Sequence, residues 1–510
     1  MIELGSQPLE MSTLVEVARA AVGASPPIRL DGSALARIAA SRAVVDRAVS
    51  EGRKVYGITT GFGRLKDVPI DRAQLRTLQL NLLRSHAAGV GPAASREVVR
   101  AMLLLRAVSL ASGHSGVRPE VVESLLALLA ADVTPVVPLQ GSVGASGDLA
   151  PLAHMALVLI GEGEAWLRDQ RMPAALALRG AGLVPLTLEA KEGLALINGT
   201  QLSTALASLA CWDAIQLWEA AAGAASLSIE VLLGSFQPAR EDVQMLRPYT
   251  GAIEAAKRLR AFSADSGLVA SHQDCGRVQD AYSLRCTPQV LGASYDAISH
   301  VQSQLSIEIN ATNDNPLVFA SGDEVISAGH FHAQPVALAA DYLKIAVAEI
   351  ASISERRIDR LLDARSSDGL PAALATEPGL ESGYMLAQYT AAALVSENKV
   401  LAHPASVDSI PTGAGWEDHV SMAPIAGRHA RAVVDNAARV VAMELLCGAR
   451  ALEFRRPLLA GVGSERLYGA VRRLVPAPEG DRPIGAACET LARWVLSGAA
   501  ARLSEEVLDA

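Results

Sequence analysis

Apolar residues recur along this chain with helical spacing, and the runs lengthen toward the C-terminal half. Residues 34–51, 72–86, 95–112 and 118–131 read as helices of ordinary length. From Leu149 to Ile160 the sequence is almost wholly apolar, with no formal charge until Glu162, which predicts a buried helix. Pro151 stands in its first turn, where the missing N–H costs nothing. Residues 163–185 read as short strand-like or irregular pieces. Beyond about residue 200 the runs become long: 204–233, 289–309, 335–362, 382–402 and 422–452. Within one of them Leu343, Ala346, Ile350 and Ile353 repeat at helical spacing, a buried seam with Lys344 and Glu349 expected off it. Runs of this length exceed the usual helix of about 12 residues. They predict a mainly α protein: a mixed N-terminal domain over 1–196 and a long-helix bundle over 197–510.

Composition narrows the function classes. Half of the 510 residues are hydrophobic, yet no uninterrupted apolar run reaches the roughly 18 residues of a membrane span. The excess apolar surface is expected in a large core and in subunit interfaces. A net charge of −9 without a basic run argues against nucleic acid as a partner. Glu3 and Glu10 precede any cation, unlike a secretory signal. The five cysteines (211, 275, 286, 447 and 488) are scattered and contain no Cys-x-x-Cys, as in a reduced, cytoplasmic protein.

One stretch concentrates unusual chemistry: Gly141-Ser142-Val143-Gly144-Ala145-Ser146-Gly147-Asp148-Leu149-Ala150-Pro151-Leu152-Ala153-His154. It reads as a strained small-residue turn feeding a buried helix. No Lys follows the glycines, so it is not a Walker loop, and it lacks Gly-x-Gly-x-x-Gly. Ser146 has Gly144 two residues before it but Asp148 two after, so it is not a nucleophile elbow. Other polar segments punctuate the helices. Val55–Gly63 is a glycine-rich loop, and Ser85-His86 falls at a helix end. Asn198-Gly199 is a turn signal that suggests a left-handed Asn198. Gln279–Cys286 contains Arg285, a side chain suited to clamp a carboxylate. His330-Phe331-His332 has the spacing that aims two imidazoles one way on a strand, but further metal ligands are missing, so no metal is expected. A long non-helical piece, 404–422, carries Trp416-Glu417-Asp418-His419. On the residues alone, each of these also fits a connector, a turn or a surface salt bridge.

Together they fit one pattern. The stretch from Gly141 to His154 resembles the signature of the aromatic amino-acid ammonia-lyases, and most of all their histidine-specific members. Tyr56-Gly-Ile-Thr-Thr-Gly-Phe-Gly63, Ser85-His-Ala-Ala-Gly89, Asn198-Gly-Thr-Gln201, Gln279-Asp-Ala-Tyr-Ser-Leu-Arg-Cys286, Phe331-His-Ala333 and Glu417-Asp-His-Val-Ser-Met422 resemble the family in the same order. The likeness spans roughly residues 50 to 430.

The resemblance implies an aspartase/fumarase-like helical superfold and a homotetramer with shared active sites. It implies that Ala145-Ser146-Gly147 cyclises and loses water to give 4-methylideneimidazol-5-one, with no external cofactor. Small residues and flanking glycines suit that chemistry, because the amide nitrogen of Gly147 must reach the carbonyl carbon of Ala145. A helix start at Asp148–Pro151 would aim its positive end at the ring. By the same resemblance Tyr56 is the base, Asn198 and Tyr282 assist the electrophile, and Arg285 clamps the substrate carboxylate. His86 and Glu417 are polar partners for a substrate imidazole, Gln279 is a further contact, and Phe331 packs on the ring. The reaction expected is elimination of ammonia from L-histidine to give trans-urocanate. The rivals are a tyrosine or phenylalanine lyase, an aminomutase using the same electrophile, or a non-catalytic helical oligomer. His86 and Glu417 favour histidine. Three departures stand out: Gly413-Ala414-Gly415-Trp416 where the family commonly has Ser-Ala-Asn-Gln, Ala281 in place of a proline, and His330 in place of an asparagine.

Overall fold

The computed structural model describes residues 1–509. The chain forms two compact units. The first comprises Met1–Leu209, Ser303–Asp341 and Pro404–Arg428; the second comprises Ala210–Gln302, Tyr342–His403 and the chain from His429 onward. The sequence suggests a single cut at 196/197, but each unit is drawn from three separate stretches. Four of the five divisions fall inside long helices, Gln201–Val231, Thr287–Glu308, Gln334–Leu362 and Ala423–Arg455. A hydropathy reading sees where a helix begins, not where its neighbours change.

All the described strands lie in the first unit, as three two-stranded pieces and one three-stranded sheet. The expected strand-like region contains the hairpin Glu164–Leu167 with Gln170–Pro173, followed by a short helix, Ala174–Gly180. Among the described residues the second unit contains no strand. No helix is long and apolar enough to cross a membrane, among the described residues.

The helix Leu149–Leu159 buries nine of its residues, as its unbroken apolar run requires. Its N-cap residue, Asp148, does not cap its own helix. Its carboxylate instead accepts the Ser203 N–H at 2.8 Å and the Ser203 hydroxyl at 3.0 Å. Ser203 lies in the first turn of Gln201–Val231, so one buried carboxyl joins the starts of two helices. Burial outweighs these hydrogen bonds and pushes the Asp148 carboxyl up to about 6.

Two local expectations are corrected. Asn198 is not left-handed: it ends the helix Glu192–Ile197 at φ −90°, ψ 102°. The following Gly199 pairs in parallel with Gly147, so the dipeptide joins two loops and forms no hairpin. Lys344, expected off the seam, is fully buried and donates to the His403 carbonyl at 2.9 Å. The seam residues Leu343, Ala346, Ile350 and Ile353 are all buried. A long lysine stem tolerates burial when its ammonium finds an acceptor.

The raised Asp148 carboxyl has a signed consequence. The fold favours its protonated form, so its contribution to stability falls as pH rises from the ordinary 3.8 to about 6. Asp148→Asn removes that titration. The melting midpoint of the variant relative to the parent is expected to rise between pH 4 and about 6 and to level off above about 7. A flat difference across that range would contradict the assignment.

Candidate active site

The tripeptide loop is held by close backbone approaches. Gly147 has φ +72°, and a Cβ there would lie 2.2 Å from the Gly199 carbonyl oxygen. Gly144 has φ +67°, and a Cβ there would meet the Ser421 hydroxyl at 2.2 Å. Only glycine meets both demands at either position. Asp148 N–H donates to the Gly199 carbonyl at 2.7 Å, and Met422 N–H donates to the Val143 carbonyl at 2.9 Å. Ala145 is buried against Val420 and Met422. Ser142 stiffens the turn internally, accepting from Gly144 N–H and donating to Asp148 Oδ1.

Behind the loop, Arg106 is fully buried and donates to the Asn198 carbonyl at 2.7 Å. Asn198 is itself buried, and its Oδ1 has no hydrogen-bond partner among the described residues. A buried acceptor left open beside the tripeptide marks a place built for another group.

Ser146 faces a cleft of roughly 510 Å³ that Tyr56, Phe331 and Glu417 also line, together with Lys54, Lys66, Asn315 and Trp416. Ser146 Oγ donates to Glu417 Oε1 at 2.8 Å. Thr412 donates its hydroxyl to the other carboxylate oxygen, and its backbone pairs with that of Glu417. Between them Gly413, Ala414 and Gly415 all take positive φ, which makes the tight turn that presents Glu417.

Tyr56 is rooted by Ile58, which packs with Val44, Val45 and Val318. Burial raises the Tyr56 phenol above its usual range. A backbone hydrogen bond from Gly63 opposes that rise, and the charge of Glu417 adds to it. His86 is the last residue of the helix Leu75–His86. Its Nδ1 lies 2.9 Å from the Leu82 carbonyl, which assigns the proton to Nδ1 and leaves Nε2 as an acceptor. Burial lowers the His86 pKa, while the Leu82 hydrogen bond and the Glu417 charge raise it. His86 does not line the cleft itself.

Phe331 sits in a turn, not the strand expected of His330-Phe331-His332. His332 Nε2 donates to the His419 carbonyl at 3.1 Å and its Nδ1 accepts from Gln334 N–H. The His332 and His419 rings stack at 5.8 Å, which fixes the Phe331 turn to the segment carrying Glu417. Among the described residues no group of three or more His, Cys, Asp or Glu is placed to hold a metal.

The structure thus brings Tyr56, Ser146, Phe331 and Glu417 into one cleft, with Ala145, Gly147, Asn198 and His86 around it. Gln279, Tyr282 and Arg285 belong to the second unit and do not line that cleft. Tyr282–Arg285 forms one helical turn, with the Arg285 guanidinium 4.7 Å from the Tyr282 ring centroid. Tyr282 is 71% exposed. A fully buried ion pair, Arg357 with Glu444 at 2.9 Å, stands below this turn, and Arg357 reaches the Ser283 carbonyl. Gln279 lines a separate cleft with His272 and Arg277. Sequence reasoning missed the roles of Asp148, Arg106 and Thr412. Their only signal was proximity in sequence to a motif, for Asp148 and Thr412, and Arg106 had none.

Known proteins resemble this chain in sequence and fold. The family model for aromatic amino acid lyases matches residues 9–473. A histidine ammonia-lyase of Gloeobacter violaceus is 53% identical over 490 residues, covering 96% of this chain and 95% of the relative. The crystal structure of histidine ammonia-lyase from Trypanosoma cruzi is similar with a TM-score of 0.91 at 41% identity, covering 99% of this chain and 95% of that one. Tyrosine aminomutase from Streptomyces globisporus gives a TM-score of 0.93 at 36% identity, covering 99% and 98%. The chain belongs to the aromatic amino acid lyase family.

Proposed function

We propose that this protein is a histidine ammonia-lyase that converts L-histidine to trans-urocanate and ammonia. The observation that carries the reading is the pairing of Ser146 with Glu417 in the cleft that Tyr56 lines, with His86 within reach of the same charge. Phenylalanine offers no donor to these groups and tyrosine a single phenol O–H, so polar atoms that an imidazole would satisfy go unpaired.

The residues fit a self-made 4-methylideneimidazol-5-one. Gly147 is compressed against Gly199, Ala145 is fixed in the core, and Asn198 keeps an unused acceptor beside them. That group supplies an electrophile that turns the substrate amine into a better leaving group. In the chain as translated, Glu417 Oε1 is occupied by the Ser146 hydroxyl. Cyclisation would expel the Ala145 carbonyl oxygen as one water, and separate loss of the Ser146 hydroxyl as a second would free Glu417 Oε1 to accept an imidazole N–H. His86 Nε2 offers a second acceptor, and Phe331 packs on the ring.

Tyr56 takes the β-hydrogen. Its phenol is held up by burial and by the charge of Glu417. A substrate imidazole bound to Glu417 offsets that charge, so substrate binding itself prepares the base. Arg285 and Tyr282 complete the site from a partner copy, with Arg285 on the substrate carboxylate. Exposed Tyr342, Ile345, Leu386, Tyr389 and Val400 on two helices of the second unit support assembly into a homotetramer. All five cysteines are free, as suits a reducing cytoplasm.

Purified protein incubated with histidine, tyrosine or phenylalanine is expected to form a conjugated ultraviolet-absorbing acid from histidine alone. Glu417→Gln is expected to lower kcat/KM for histidine by about 10- to 100-fold. Turnover of tyrosine or phenylalanine without urocanate would refute the substrate assignment. Sharing of sites between copies has its own test. Tyr56→Phe and Arg285→Ala chains, each nearly inactive, are expected to regain part of the activity when co-expressed; mixed oligomers as inactive as either parent would refute a shared site.

A further inference from the structure

The loop that follows Tyr56 meets the loop that precedes Glu417 at a cation–π contact. Lys66 places its ammonium 3.7 Å from the centroid of the Trp416 ring. Both side chains line the cleft with Tyr56 and Ser146. Among the described residues Lys66 has no carboxylate within salt-bridge distance, so the indole face is what its charge engages. Trp416 is 66% exposed, so the core does not account for its size.

Each partner sits on a small self-bonded hairpin. On one side, Gly61 N–H donates to the Val68 carbonyl at 3.0 Å, and Lys66 N–H donates to the Gly63 carbonyl at 3.2 Å. Thr60 pairs with Pro69 at its base. Gly63 in this hairpin also hydrogen-bonds the Tyr56 phenol through its backbone. On the other side, the Thr412–Glu417 turn carries Trp416 next to the carboxylate that Ser146 contacts. A cation resting on an indole therefore links the hairpin that touches the phenol to the turn that presents the carboxylate.

We propose that Lys66 and Trp416 form a latch that positions Tyr56 over the cleft by holding the 61–68 hairpin against the 412–417 turn. They are positioning residues, since neither needs to touch the reacting atoms. The latch rests on the reading of Tyr56 as the base. It also gives a purpose to Trp416, whose ring the core does not bury.

The test combines amide hydrogen exchange by mass spectrometry with steady-state kinetics on histidine. Lys66→Met and Trp416→Leu are each expected to raise exchange across residues 57–68 by about two- to fivefold, the factor set by a partly exposed cation–π contact. Each is expected to lower kcat by a similar factor with a smaller change in KM and an unchanged melting temperature. The double variant should be no worse than either single one, and Lys66→Arg should restore parental exchange and kcat. Additive effects, unchanged exchange in Lys66→Met, or a Lys66→Arg variant as impaired as Lys66→Met would overturn the latch. Exchange is read without substrate, so a coupled pair in a protein that does not turn over histidine would uphold the latch and refute the substrate reading instead.

Discussion

Everything at the site depends on one backbone contact, Gly147 against Gly199. A side chain at Gly147 would fall 2.2 Å from the Gly199 carbonyl oxygen, so the approach is closed to every residue but glycine. Around it the first unit gathers buried polar groups. Asp148 binds the same Gly199 carbonyl through its N–H and the start of Gln201–Val231 through its carboxylate. Arg106 holds the carbonyl of Asn198 from behind. A loop with no regular secondary structure is thereby fixed by two helix starts and one buried cation.

The second constraint is electrostatic. Glu417 influences three groups at once: it accepts from Ser146, raises Tyr56 and raises His86. In the proposed reaction Tyr56, raised by burial and by Glu417, is poorly matched to act as a base at neutral pH while that carboxylate stays uncompensated. In that proposal an imidazole N–H donated to Glu417 offsets the charge, whereas a phenyl ring offers no donor. Specificity and activation of the base then share one cause.

The helices were legible because hydrophobic periodicity is a local signal. Leu149–Leu159 and the long runs follow their predicted spans within a few residues. The two compact units were not legible, because four of the five divisions fall inside continuous helices. Asn198 failed for a different reason. Its turn propensity is real, but pairing of Gly199 with Gly147 imposes an extended conformation on the segment. Lys344 failed because its acceptor, the His403 carbonyl, lies 59 residues away in sequence. At the site, motif resemblance identified Tyr56, Ser146, Phe331 and Glu417, which one cleft unites. Arg106 stayed hidden, because nothing in a helical arginine among leucines announces the carbonyl it will hold.

The central claim is that Ala145-Ser146-Gly147 is a precursor that the fold converts into its own electrophile. Mass spectrometry of a proteolytic peptide covering residues 141–155 tests this most directly. The account predicts a loss of two waters in the parent protein, absent from an inactive Ser146→Ala variant. An intact tripeptide mass in fully active enzyme would contradict it.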